Sequence, residues 1–471
     1  MTELWQMNIG NLQKALQKRD VSAQEVVTCF LKRIEQHQEM TNAFVSWDAD
    51  QALKVARKKD AKPSDDPLHG IPIAVKDNYY TIDYPTTACS AVPQDSAPFV
   101  DATTVALLRK AGAIIIGKTN MHEWAYGATN LVSCYGRTRN PWNAEHITGG
   151  SSGGSGAALA ARMVPAALGS DTGGSVRIPS AGCGISGIKP TYGHASRGGI
   201  LPLSWSFDAP GPMAASAQDL MHLLPAMTGE DPQDPSTIGF RYSRKPNLAP
   251  RSFAGLRIGL PTGPGFERDD DVDAAYQNAI NLFAQHGAII QEVFISGMAD
   301  GFNAWKIILH AEASAYHRDA LKTHAHDYSD TMRIQLETGG QLSACDYLKA
   351  QQYRNAFNHK LAQTLGLYDT LLLPTLPVCA PHAEQNVVTP SGKELRIQDA
   401  MTYVAWIANL SGFPAVSIPC GFGKEGLPVG LMMIGAGGRD YDLLRLAHTY
   451  QTYTDWHQRI PSTVLSHNDD R

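Results

Sequence analysis

The chain has 471 residues, 43% hydrophobic and 18% charged, which is enough apolar material for a sizeable core and argues against disorder. Its 45 acidic and 40 basic residues leave a formal charge of −5, too mild a field to favour nucleic acid or an anionic membrane. Met1-Thr2-Glu3-Leu4-Trp5 opens without an apolar signal core, no run of about 18 apolar residues follows, and the seven cysteines form no CxxC pair, so a cytoplasmic protein without disulfides or a zinc site is expected.

In chain order, the first 60 residues read as helical. Val21-Ser22-Ala23-Gln24-Glu25 resembles a capped start, with Val26, Val27, Phe30, Leu31 and Ile34 on one face. A linker, Ala61-Lys62-Pro63-Ser64-Asp65-Asp66-Pro67, ends that region. The apolar run Ile71-Pro72-Ile73-Ala74-Val75 then reads as a buried strand leading into Lys76. A helix over Thr103 to Ala111 precedes a strand at Ala113-Ile114-Ile115-Ile116-Gly117. Helix-forming residues 157–162 follow the first of two glycine-rich loops. Further strands are expected at 256–260, 288–290, 370–373, 415–418 and 429–434, and helices at 269–286, 305–322 and 441–450. This alternation predicts an α/β fold, with a mixed or parallel sheet covered by helices. Residues 230–252, rich in Pro, Asp, Ser and Arg, read as a surface crossing within one domain.

Two loops carry the chemistry. Gly149-Gly150-Ser151-Ser152-Gly153-Gly154-Ser155 and Gly169-Ser170-Asp171-Thr172-Gly173-Gly174-Ser175 set hydroxyls among residues without a Cβ, where backbone N–H groups can approach a ligand. A serine nucleophile needs a base. None of the 16 histidines stands in a triad-like context, although His146 and His194 lie nearby in sequence. A lysine serves if burial keeps it neutral; Lys76 closes a very apolar strand, a place for such a lysine, although strand context alone favours one that caps the strand and reaches water.

The run from Gly149 to Thr191, with Gly70-Ile71-Pro72-Ile73-Ala74-Val75-Lys76-Asp77, Gly117-Lys118-Thr119-Asn120 and Asn409-Leu410-Ser411-Gly412, closely resembles the amidase signature family. The resemblance runs from about residue 20 to about 450 and is weakest between 230 and 365. It implies a large twisted mixed β-sheet with helices on both faces. It also implies one domain: a helical segment at about 1–60, a core at 65–225, a helical excursion at 230–365 and the rest of the core at 366–460. It assigns Lys76 as base, Ser151 as relay on a cis Gly150–Ser151 peptide, and Ser175 as nucleophile. The N–H groups of Thr172, Gly173, Gly174 and Ser175 become the oxyanion hole. Asp171 and Arg177 are expected to support that loop, and Ala125, Tyr126 and Thr402 to line the substrate pocket, with Trp406 and Ile407 close by.

The implied activity is hydrolysis of a linear amide or ureido C–N bond in a small molecule. No cofactor, metal, nucleic acid or membrane is expected, and the resemblance leaves room for a homodimer or a small accessory subunit. One alternative is the A subunit of a tRNA-dependent amidotransferase. The chain departs from that pattern at Ile178, where the amidotransferase has Gln, and at Thr402, where it has an amine-binding Asp. An inactive amidase-like scaffold is the non-enzyme alternative. Two other readings fail: the α/β-hydrolase elbow lacks a preceding apolar strand, and a P-loop lacks its Lys-Ser/Thr pair. His122 and Glu123 are expected to be structural, and Cys183 to pack.

Overall fold

The computed structural model describes residues 3–94, 100–239, 247 and 249–465. Eleven strands form one sheet: β1 (Phe44–Trp47), β2 (Pro72–Lys76), β3 (Ile114–Thr119), β4 (Ala166–Asp171), β5 (Ser186–Lys189), β6 (Ala209–Ala214), β7 (Arg257–Thr262), β8 (Ile289–Phe294), β9 (Thr370–Pro374), β10 (Ala415–Phe422) and β11 (Pro428–Ile434). The spatial order is β1-β3-β2-β4-β6-β5-β10-β11-β9-β7-β8. Strand β2 runs parallel to both β3 and β4, and β7 runs parallel to β8 and β9, whereas β4 pairs antiparallel with β6. The sheet is therefore mixed.

Both faces are buried over the central strands, and the alternation of side chains shows it, whereas the edge strand β8 is largely exposed. Leu371 and Leu373 of β9 enter one apolar cluster while Leu372 enters another. On β11, Met432 and Ile434 point one way and Leu431 and Met433 the other. A strand with helices on both sides has no polar face, which is why these segments read as continuous apolar runs.

The capped helix is found at Ala23–Thr41, with Ser22 and Glu25 completing a capping box. The wholly helical reading of the first 60 residues is corrected by β1. Its Phe44, Ser46 and Trp47 pair antiparallel with β3, and a four-residue strand is too short to show a period. Strands β4, β5 and β6 are also absent from the expected set. They carry Gly, Ser and Pro where buried strands usually carry branched residues, because the backbone is packed tightly there. A Cβ on Gly211 of β6 would lie 2.4 Å from the Ile188 carbonyl oxygen.

The helical excursion contains Met298–His324, Asp330–Gly339 and Ala344–Leu365. The first is longer than the expected 305–322, and the other two were not expected. The last buries only Ala350, Phe357, Leu361 and Leu365, a stripe too thin to stand out in the sequence. Of the 230–252 crossing, residues 240–246 and 248 lie outside the described residues, as do Met1 and Thr2. Among the described residues, no helix is long and apolar enough to cross a membrane.

Parallel pairing of β2 with β4 brings Lys76 and Asp171, each the last residue of its strand, to the same edge of the sheet. Ligands in α/β sheets bind at such carboxyl ends.

Candidate active site

Lys76 is fully buried, and its Nζ lies 2.7 Å from Ser151 Oγ and 2.8 Å from Ser170 Oγ. Burial brings its pKa down to about 7, against the opposing pull of the Asp171 and Asp208 carboxylates. At neutral pH a large share of Lys76 is thus a free amine able to accept a proton. Asn78 Nδ2 donates to the same Ser170 hydroxyl at 3.0 Å, so Ser170 is held from two sides.

The Gly150–Ser151 peptide is cis. The backbone around it is crowded: a Cβ on Gly150 would lie 2.8 Å from Asn130 N. The Ser152 N–H donates to the Ser175 carbonyl oxygen at 3.2 Å and ties the two loops together. Ser175 is 7% exposed and opens onto a cavity of about 100 Å³.

Asp171 organises the second loop. Its carboxylate accepts from Arg177 Nε at 3.0 Å, from Arg177 Nη2 at 2.9 Å and from Asn409 Nδ2 at 2.9 Å. Burial alone would raise this carboxyl, but the Arg177 charge and the hydrogen bonds hold it down at about 2. Asp171 also accepts from the Gly174 N–H at 2.8 Å and the Val176 N–H at 3.2 Å. This amends the expected oxyanion hole: the Gly174 N–H is already engaged, which leaves Thr172, Gly173 and Ser175 as candidate donors. Gly174 sits at φ +119°, a conformation that favours glycine.

Thr172 is fixed through both its side chain and its backbone. Its Oγ1 donates to Asp208 Oδ1 at 2.6 Å, and its carbonyl accepts from Trp305 Nε1 at 3.1 Å. A Cβ on Gly173 would lie 2.3 Å from Trp305 Cζ2, so only glycine fits beneath that indole. Trp305 comes from the Met298–His324 helix, which therefore braces the loop from the excursion.

The cavity is lined by Ala125 and Tyr126 on one side and Thr402 on another, with Trp305, Lys306, His310, Gln335, Gln398 and Asp399 around them. The three expected lining residues thus meet there. Thr402 Oγ1 turns back to the Gln398 carbonyl oxygen at 3.0 Å. Trp406 and Ile407 instead lie in the apolar cluster behind, Trp406 against Phe302 and Phe357. Tyr126 hydrogen-bonds His310 Nδ1, and burial together with Lys306 lowers His310 to about 4.

His122 is buried, with Nδ1 accepting from the Asn130 N–H at 3.2 Å, and burial with the nearby Lys76 lowers it to about 3. Glu123 accepts from Ser90 Oγ at 2.6 Å. Cys183 packs, its Sγ 3.5 Å from the Thr148 carbonyl oxygen. His194 faces Asp440, and His146 the Ala380 carbonyl. Among the described residues, no group of three or more His, Cys, Asp or Glu side chains is placed to hold a metal ion.

Ser170, Asp208, Trp305, Lys306, His310 and Asp399 were not identified from the sequence. Ser170 had a signal, since it is the one other serine of the second loop. Trp305, Lys306 and His310 fall within the expected 305–322 helix and Asp208 and Asp399 in no expected element, and none of the five carried a local signal for the site.

The amidase family profile matches residues 25–444. The chain is 36% identical to the A subunit of the glutamyl-tRNA(Gln) amidotransferase of Geotalea daltonii, over 97% of this chain and 99% of that one. It is 38% identical to the corresponding protein of Aromatoleum aromaticum, again over 97% and 99%. Among solved structures it is similar, at 31% identity and a TM-score of 0.90, to a protein from a vestigial complex bearing on the origins of an s-triazine catabolic enzyme; 95% of this chain and 98% of that one are covered.

Proposed function

Since the chain belongs to the amidase family, we propose that it hydrolyses the C–N amide or ureido bond of a small molecule through an acyl-enzyme on Ser175. The observation that carries this reading is the fully buried Lys76 amine, 2.7 Å from Ser151 Oγ, beside the loop that presents Ser175 to a cavity. Neutral Lys76 takes the Ser151 proton as Ser151 takes that of Ser175. The freed Ser175 Oγ attacks the amide carbonyl. Negative charge on the carbonyl oxygen settles on the N–H groups of Thr172, Gly173 and Ser175, where loss of one donor typically costs about 2.7–4 kcal/mol. The same relay returns the proton to the leaving nitrogen, and water then releases the acid.

The cavity of about 100 Å³ supports a small substrate. A cytoplasmic setting fits the same reading.

A second reading, a glutamine-hydrolysing component of an amidotransferase, is favoured by 36–38% identity over nearly the whole length of the relatives of that name. A hydrolysis screen over primary amides, anilides, ureido compounds and glutamine separates the two. Turnover of a free small amide by the isolated chain supports the first. Glutamine turnover that appears only with partner proteins supports the second.

A further inference from the structure

The wall of the Ser175 cavity carries charge that the proposed proton relay does not use. Lys306 Nζ and Asp399 Oδ1 meet there at 3.0 Å. They are the ionised side chains of the lining, because burial keeps His310 neutral.

The geometry holds Lys306 in a set relation to the reacting centre. It follows Trp305, whose indole anchors the Thr172 carbonyl. Its Nζ lies 4.2 Å from the centre of the Phe302 ring, which stacks on Trp305. Asp399 is a looser partner. The two side chains are 33% and 37% exposed, and so open a pair contributes little. An incoming carboxylate can therefore take Lys306 while Asp399 turns to water. Beside them, Gln335 Oε1 is buried without a hydrogen-bond partner, an acceptor in the wall suited to a substrate N–H.

We propose that Lys306 determines specificity by binding a carboxylate at the far end of the substrate, so that the substrate class is a short amide or ureido compound bearing a carboxylate. This rests on the amidase reading of Ser175. The test uses the full chain and three amides of matched length: succinamate, butyramide and β-alaninamide, whose far ends are anionic, neutral and cationic.

The expected result is a kcat/KM for succinamate at least tenfold above the other two, expressed mainly in KM. Lys306→Met should reduce the succinamate-to-butyramide ratio of kcat/KM tenfold or more, and Lys306→Arg should restore most of it. Succinate should slow labelling of Ser175 by phenylmethylsulfonyl fluoride in the wild type and not in Lys306→Met. A wild-type preference for butyramide or β-alaninamide, or a ratio unmoved by Lys306→Met, overturns the assignment and leaves the amidase reading standing. Absence of both turnover and Ser175 labelling overturns the amidase reading, and this inference with it.

Discussion

Lys76 Nζ stands 2.8 Å from Ser170 Oγ, almost as close as it stands to Ser151. The amine is thus held between two hydroxyls, one from each glycine-rich loop, and its aim at Ser151 depends on both. Ser170→Ala removes the second anchor and leaves Asn78 without that partner. A fall in kcat of about 10- to 100-fold is expected, below the full worth of a general base. Steady-state kinetics on an active amide, with circular dichroism to show an intact fold, check this. An unchanged kcat removes Ser170 from the positioning of the base.

Ser175→Ala should abolish amide hydrolysis, with a loss on the order of 10⁴-fold or more, while the fold persists. Peptide mass spectrometry after phenylmethylsulfonyl fluoride treatment should find the label on Ser175. A label on Ser151 instead would reverse the roles given to the two serines.

As the proposed base, Lys76 sets the sign of the pH dependence. It accepts a proton only as the neutral amine, and burial brings its pKa down to about 7. Activity per enzyme should therefore rise with pH through about 7 and level off above it. Lys76→Arg places a guanidinium that stays protonated across this range, so activity should be lost at every pH. A wild-type profile that is flat from pH 5 to 9 would exclude Lys76 as the base.

Asp171 and Arg177 form a buried pair, with both side chains fully enclosed. Asp171→Asn leaves the guanidinium buried without its counter-charge, at a cost of about 3–5 kcal/mol. A clear drop in thermal midpoint should accompany loss of activity. The carboxyl is depressed to about 2 from an unfolded value of about 3.9. Its contribution to stability is therefore complete above about pH 4 and disappears as the pH falls through about 2. Denaturant titrations between pH 2 and 6 should show wild type and Asp171→Asn converging at the acid end.

Gly173→Ala drives a methyl group to 2.3 Å from the Trp305 ring. The loop or the indole must move, and the N–H groups proposed to form the oxyanion hole move with it. A fall in kcat of about 10²- to 10³-fold is expected, as for loss of an oxyanion donor. Trp305→Phe combined with Gly173→Ala should recover part of it, because the smaller ring relieves the clash. No recovery would place the fault elsewhere.

The strands that read clearly were those with branched apolar side chains, such as Ile114–Ile116 and Leu371–Leu373, because burial on both faces leaves an unbroken apolar run. Strands β4, β6 and the short β1 stayed hidden. Their residues were selected for close backbone approach or are too few to form a pattern. The two loops were legible because serines among glycines have a local chemical meaning; Lys76 was assigned through the family resemblance, since a lysine closing an apolar strand can equally reach water.

The sequence by itself therefore identified the chemical parts: a lysine at the end of a buried strand, and hydroxyls on backbones free of Cβ atoms. Tertiary structure alone decided how these parts are supported and what faces them. Trp305 reaches Thr172 across 133 residues, and Lys306 meets Asp399 across 93. The physical reason is that local pattern records only what a residue does within its own turn or pleat. The groups that brace the loop and charge the pocket act through contacts made when distant helices close over the sheet.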